Sequence, residues 1–573
     1  MAKRKRAKKR RPSAKEKAPA QEPTPKAPDT PKPPRDWKTI GRDYGLLGLG
    51  AVMMFLGFAG FGLWPFAFVG MVPALWVMDE SRPTGWGFFG RALFFGYVAW
   101  YGGFYWVVDT IVDFGGFPYL LAAFFASVFF LYQAMQYVLV LWLYGRARAR
   151  GWDPTLALVT AFVGVEVAFP QLFENYYGNS FHMLPYLVQV ADLGGALLLS
   201  ALAMLGNGAV YSLLRAWLEG ERRWPKIAPA AFALAIVATV GYSAYRISEV
   251  EGRMADAPAI TVGVVQTNMG IFEKREDPGE GLRRHLEQSA ELEAQGVDLL
   301  VWPESAATFS LPRGIGVPVR PHFDRALMFY REENPGFPST PLLFGGLSME
   351  YDEAGERTLY NTAFLTDGEG RIVAHYDKTY LLAFGEYLPF GETFPILYDW
   401  SPNTGHFTPG DHVRSLPFGE HRIGALVCYE DIVSRFVRSM MNEDEPNLFI
   451  NVTNDAWFGD TQEPWVHLAL AEMRSVEHHR YLIRATNTGV SAVIDPLGRT
   501  VAHTETFERA SLREEVHMLE GGTLYGTVGN WPGWLSLLGI GFMAFIGRRR
   551  RSDAPSPSPD AKKPDAKKPD EEE

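Results

Sequence analysis

A hydrocarbon layer about 30 Å thick is crossed by roughly 20 predominantly apolar residues, with a range near 17–25. Stretches of that kind constrain this chain more than any other feature. Seven crowd its first half, at residues 46–62, 63–78, 88–108, 117–144, 156–169, 188–214 and 227–245, and an eighth lies at 531–546. The first, second, fifth and eighth sit at the short end of the range, and the fourth is long enough to tilt. The overall hydrophobic content of 47% hides this partition. The expected architecture is a polytopic α-helical membrane domain of about eight spans, with residues 257–529 standing apart as a polar insert.

Charge supports an even number of spans. Arg82 and Arg91 flank the connection after the second stretch, and Arg146, Arg148 and Arg150 follow the fourth. Arg215, Arg222, Arg223 and Lys226 follow the sixth, and Arg548 to Arg551 follow the eighth. Residues 109–116 and 170–192 carry no Lys or Arg. This alternation places both termini in the cytoplasm and residues 257–529 on the other side. The first 38 residues hold 14 Lys/Arg against 4 Asp/Glu. Beside a membrane segment such a run reads as an orienting tail rather than a nucleic-acid arm. It lacks the apolar core of a cleavable signal. Residues 1–40 are therefore expected to be a disordered basic tail, 45–250 the membrane domain with spans one to seven, 531–547 span eight, and 548–573 a second disordered cytoplasmic tail.

Between spans seven and eight the pattern becomes that of an α/β domain. Short apolar runs at 260–266, 297–302, 342–347, 423–427 and 447–452 predict strands. Residues 280–295 predict a helix, as does the apolar stripe Val466, Leu470, Met473, Val476 within 463–485. Asp367-Gly368-Glu369-Gly370 and Asp495-Pro496-Leu497-Gly498 predict hairpin turns.

Three strand ends carry reactive groups. Cys428 is the one cysteine of the chain, which excludes an intramolecular disulfide. Alone it reads equally well as a packed small hydrophobe. Glu304 ends the strand before it, and Lys378 follows Tyr376-Asp377. Thiol acyl chemistry needs a base, a stabiliser for the oxyanion and a nucleophile. Glu304 supplies the first, with a pKa raised by burial. Lys378 supplies the second and would help keep the thiol ionised, and Cys428 supplies the third. The adjacent His478 and His479 lack convergent ligand spacing, so no metal is expected. A phosphate-binding GxxxxGK[ST] loop is absent from the sequence.

Trp302-Pro303-Glu304, Tyr376-Asp377-Lys378 and Cys428-Tyr429-Glu430 together resemble the motifs of the nitrilase (carbon–nitrogen hydrolase) superfamily, which uses a Glu-Lys-Cys triad. Three further stretches, 378–389, 451–460 and 484–489, make the chain from about 45 to 547 similar to the apolipoprotein N-acyltransferase family. It departs from that pattern in its two tails and in Ala383, where proline is expected before Phe384. The resemblance implies an αββα sandwich in a bacterial inner-membrane protein with a periplasmic catalytic domain. It implies ping-pong acyl transfer from a phospholipid, typically phosphatidylethanolamine, through Cys428 to the α-amine of a diacylglyceryl-cysteine apolipoprotein. It further implies supporting roles for Glu386, Tyr429, Glu430, Asn454 and Trp457, with no cofactor and no nucleic acid, in a monomer. A membrane-tethered amidase for a small soluble amide is the alternative. Glu166, inside the fifth stretch, is a polar contact or a span-end residue.

Overall fold

The computed structural model describes residues 36–546, except 114, 271–272, 274–275, 329–335, 352–354, 356, 384 and 401–403. The C-terminal tail, most of the N-terminal one and Phe384 thus lie outside the described residues. Residues 37–40, expected in the tail, instead begin the helix Trp37–Leu56. Asp36 caps it, its carboxylate accepting from the backbone N–H of Lys38 and Thr39, which satisfies first-turn donors that have no helical partner.

Three described helices are long and apolar enough to cross a membrane by length and composition: Tyr119–Ala149, Ala196–Leu218 and Ile227–Asp256. Pro154–Ala168 and Trp531–Ala544 are shorter apolar helices. Trp37–Leu56 and Gly85–Gly103 pack beside them. The second expected span is broken. Residues 64–68 form a 3₁₀ turn and the helix Val72–Glu80 has only 9 residues. Pro65 and Pro73 each remove a backbone donor, and Gly60 and Gly62 turn the chain at positive φ. Leu120, Ile227, Leu234, Val237 and Leu538 point outward, an apolar exterior that suits lipid rather than water. Glu166 is buried and accepts from the Tyr177 N–H at 2.7 Å, a structural contact that holds the following loop.

The insert is a sandwich of two sheets, as a nitrilase-like fold requires. Its strands are β1 (Ala259–Gln266), β2 (Leu299–Val301), β3 (Ala307–Leu311), β4 (Leu342–Tyr351), β5 (Arg357–Thr366), β6 (Ile372–Asp377), β7 (Leu416–Phe418), β8 (His421–Val427), β9 (Leu448–Val452), β10 (Tyr481–Ala485), β11 (Ala492–Ile494), β12 (Thr500–His503) and β13 (Ala510–His517). One sheet runs β13-β1-β2-β4-β5-β6, with β3 also on β4, and the other runs β12-β11-β10-β9-β8-β7. β1, β2 and β4 are parallel neighbours, as are β8, β9 and β10. Their near-continuous apolar sequences fit strands covered on both faces. The helix Pro278–Ala294 packs on the first sheet, and Ser434–Asp444 and Glu463–His478 lie with the second. Both expected hairpins form, between β5 and β6 and between β11 and β12.

The helix expected over 463–485 stops at His478. His479 adopts φ 50°, a left-handed cap, and the apolar Tyr481–Ala485 pairs in parallel with β9. That cap also fastens the domain to the membrane helices. Asp192 accepts from Tyr242 and Arg246 and meets His479 Nε2 at 3.1 Å. His182 and Glu472 meet at 2.5 Å, and Gln189 donates to the Leu497 carbonyl.

Candidate active site

β2, β6 and β8 end close together, and the turns leaving them carry Glu304, Lys378 and Cys428, all buried. Parallel strands place functional loops at a shared end of the sheet. The turn that carries Cys428 is strained. Cys428 has φ 53° and the residue after Glu304, Ser305, has φ 56°. Left-handed conformations in non-glycine residues persist where the surroundings over-determine them. Asn451 Nδ2 donates to the Cys428 carbonyl at 2.8 Å, and Asn487 Nδ2 to the Glu304 carbonyl at 2.8 Å. A Cβ on Gly345 would lie 2.5 Å from Glu304 Cα, so the close approach of β4 to this turn requires glycine there.

Lys378 Nζ sits 2.7 Å from Glu386 Oε2. Asn361 Nδ2 bridges the two acids, 2.6 Å from Glu304 Oε1 and 2.9 Å from Glu386 Oε1. The Leu382 N–H also donates to Glu386. Glu304 Oε2 has no hydrogen-bond partner among the described residues, which leaves a lone pair free to take a proton. Burial pushes the Glu304 carboxyl up, Lys378 opposes it and Glu386 adds to it. Burial pulls the Lys378 amine down but is outweighed by Glu386, Cys428 and Glu304, so it stays charged. Burial and Glu304 together push the Cys428 thiol well up, against Lys378 and a hydrogen bond with Thr453. Lys378 thus acts on the thiol in the expected direction, while burial and Glu304 act against it.

The supporting residues divide by what they touch. Glu430 is fully buried and, among the described residues, pairs with no arginine. Its Oε1 accepts from Tyr376 Oη, Thr379 N and Tyr380 N at 2.8, 2.8 and 2.9 Å, and its Oε2 from Val427 N at 2.9 Å. It thus ties the Cys428 turn to the Lys378 turn, while burial pushes its carboxyl up to about 7. A Glu430→Gln carboxamide cannot accept on both sides. With its oxygen toward Tyr376, its NH₂ would face the Val427 N–H. One buried donor is left unpaired, so a loss of about 1–3 kcal/mol is expected, read as a lower unfolding midpoint in detergent. Tyr429 donates to the Leu172 carbonyl at 3.2 Å, and its ring packs on Phe173 at 5.7 Å, so the membrane-domain loop covers the Cys428 turn. Asn454 caps the 3₁₀ turn Asp455–Phe458, and Trp457 lies half-buried on that turn. Among the described residues Asn454 makes no hydrogen bond to Glu304, Lys378 or Cys428.

Asn361, Asn451, Thr453 and Asn487 were not expected. Asn451 had a legible signal, one amide within the apolar strand Leu448–Val452. Behind it, His467 bridges Asp431 at 2.9 Å and Asp455 at 3.0 Å, and Arg484 pairs with Asp431. Asp455, Glu463 and His467 offer donor atoms within 4.8 Å of one another. Arg484 and a His467 whose carboxylate neighbours raise it to about 10, against burial, already supply the positive charge a metal would bring.

Sequence comparison agrees with this geometry. The family described as carbon–nitrogen hydrolase matches residues 261–517, and the apolipoprotein N-acyltransferase N-terminal domain matches residues 50–209. The apolipoprotein N-acyltransferase of Geobacter metallireducens is 28% identical, covering 89% of this chain and 96% of its own. That of Azotobacter vinelandii is 29% identical, covering 90% and 98%. That of Bdellovibrio bacteriovorus is 30% identical, covering 78% of this chain and 83% of the relative. With both family domains on one chain and relatives matched across nearly their whole length, the chain belongs to the apolipoprotein N-acyltransferase family.

Proposed function

We propose that this inner-membrane protein acylates lipoproteins in two half-reactions joined by a thioester on Cys428. The observation that carries this reading is the buried cluster of Glu304, Lys378 and Cys428 beneath a loop of the membrane domain. Glu304 Oε2 takes the thiol proton as sulfur attacks the ester carbonyl of a phospholipid such as phosphatidylethanolamine. The charge on Lys378 stabilises the tetrahedral oxyanion. As the ester C–O bond breaks, the proton on Glu304 passes to the departing lysophospholipid. The α-amine of a diacylglyceryl-cysteine then attacks the thioester, Glu304 accepts the amine proton, and the expelled sulfur recovers it. A thioester tolerates waiting for an amine when water is excluded, and burial of Cys428 supports this.

Glu386 and Asn361 hold Lys378 and Glu304 in place, Tyr429 and Glu430 fix the mouth, and Asn454 and Trp457 shape the adjoining turn. The domain limits given above, with the N-terminal tail ending at Asp36, and eight crossings, the second made in two pieces by residues 64–68 and Val72–Glu80, with both tails cytoplasmic and residues 257–529 periplasmic, fit the charge alternation. A reporter active only in the cytoplasm, fused after Gly368, is then silent, and a signal from it would reverse the orientation. Purified protein given phospholipid and a diacylated lipopeptide should shift the peptide on a gel. Hydrolysis of small soluble amides without that shift would favour a tethered amidase.

A further inference from the structure

One arginine beside the nucleophile is held in place but left open. Arg435 lies in the first turn of the helix Ser434–Asp444, which follows the Cys428 turn directly. Its side chain is 66% exposed, and its nearest carboxylate, Glu174 Oε1, stands 3.7 Å away, beyond hydrogen-bonding distance. Its guanidinium lies over the Tyr380 ring at 5.1 Å. Tyr380 is two residues past Lys378 and gives its N–H to Glu430. Glu174 follows Leu172 and Phe173, the residues that cover Tyr429. The patch therefore joins the turns of Cys428 and Lys378 and the membrane-domain loop. Arg438, one turn further on, differs in that it donates to the carbonyls of Tyr525, Gly526 and Thr527.

We propose that Arg435, steadied by Tyr380 and Glu174, binds the phosphodiester of the acyl donor and so selects phospholipids over neutral diacylglycerols. The proposal rests on the donor reading above. A glycerolipid whose ester carbonyl reaches Cys428 carries its phosphate only a glycerol backbone away, at the boundary where Arg435 stands. A planar guanidinium offers forked donors that match phosphate oxygens and stacks on an aromatic face without losing them. Weak pairing with Glu174 orients the fork without saturating it.

The test is acylation of Cys428 in the full-length protein in mixed micelles. Phosphatidylethanolamine is compared with diacylglycerol of the same acyl chains, without acceptor. Arg435→Gln is expected to raise the half-saturating phospholipid concentration about tenfold. It should leave diacylglycerol use unchanged, and Arg435→Lys should recover part of the loss. Transfer from preformed acyl-enzyme to lipopeptide should also be unchanged. Equal effects on both donors, or none on either, would overturn the assignment. If wild-type protein forms no adduct from either donor, the thioester reading itself fails, and the role of Arg435 with it.

Discussion

Lys378→Ala is expected to lower acyl transfer by about 10²–10³-fold, the usual cost of one lost oxyanion stabiliser. Lys378 is 1% exposed and lies 2.7 Å from Glu386. Its charge also acts on Glu304 and the Cys428 thiol. Removing it leaves two carboxyl groups facing each other across Asn361 with no cation between them. Breaking a buried pair in this way typically costs about 3–5 kcal/mol of stability. Part of that loss is expected to be relieved by protonation of Glu304. Two measurements separate the effects. Single-turnover rates at saturating donor read catalysis, and unfolding midpoints at pH 6 and pH 8 read stability, with the deficit larger at pH 8. Alkylation of Cys428 should also need higher pH in the variant, since the cation opposing the thiol's upward shift is gone. A variant with wild-type rates would remove Lys378 from the mechanism.

Glu304→Gln should cost about 10²–10⁴ in rate, the usual loss on removing a general base. The amide oxygen can still accept from Asn361, which lies 2.6 Å from Glu304 Oε1, so the turn is expected to keep its shape. The pH profile makes the assignment specific. Glu304 must be ionised to take the thiol proton, and burial places its pKa above the ordinary carboxylate value. Wild-type activity should therefore fall as pH drops through that raised value. The residual activity of Glu304→Gln should lack this acidic limb. A limb of the same shape in the variant would assign the base to another group.

Much of this site is legible in the sequence because each triad residue ends a strand. An apolar run followed at once by Glu, Lys or Cys marks where a core meets polar chemistry, and parallel strands bring such ends together. Glu386 and Glu430 came from the resemblance alone. Only the structure separates them, one on the Lys378 amine and the other on five backbone and hydroxyl donors. Asn361 escaped notice because it lies in a strand of mixed polarity, where an inward amide looks like an outward one. The end of the helix at His478 was hidden because the stripe before it and Tyr481–Ala485 after it are both apolar. No Gly or Pro marks the boundary, which rests on the left-handed φ of His479. The break inside the second stretch was hidden for a related reason. Residues 63–78 are apolar enough in composition, but the prolines and glycines that divide them decide the backbone. The resting charge of the thiol depends on burial weighed against three charged neighbours, a balance that spacing along the chain does not reveal.

A thioester on Cys428 can be detected by mass. Full-length protein is incubated with phospholipid alone, digested, and the peptide carrying Cys428 is weighed. The expected result is one added acyl mass, removed by neutral hydroxylamine and missing in Cys428→Ala, which also transfers nothing. An unmodified Cys428 peptide in protein that still acylates lipopeptide, or transfer by Cys428→Ala, would exclude the covalent intermediate.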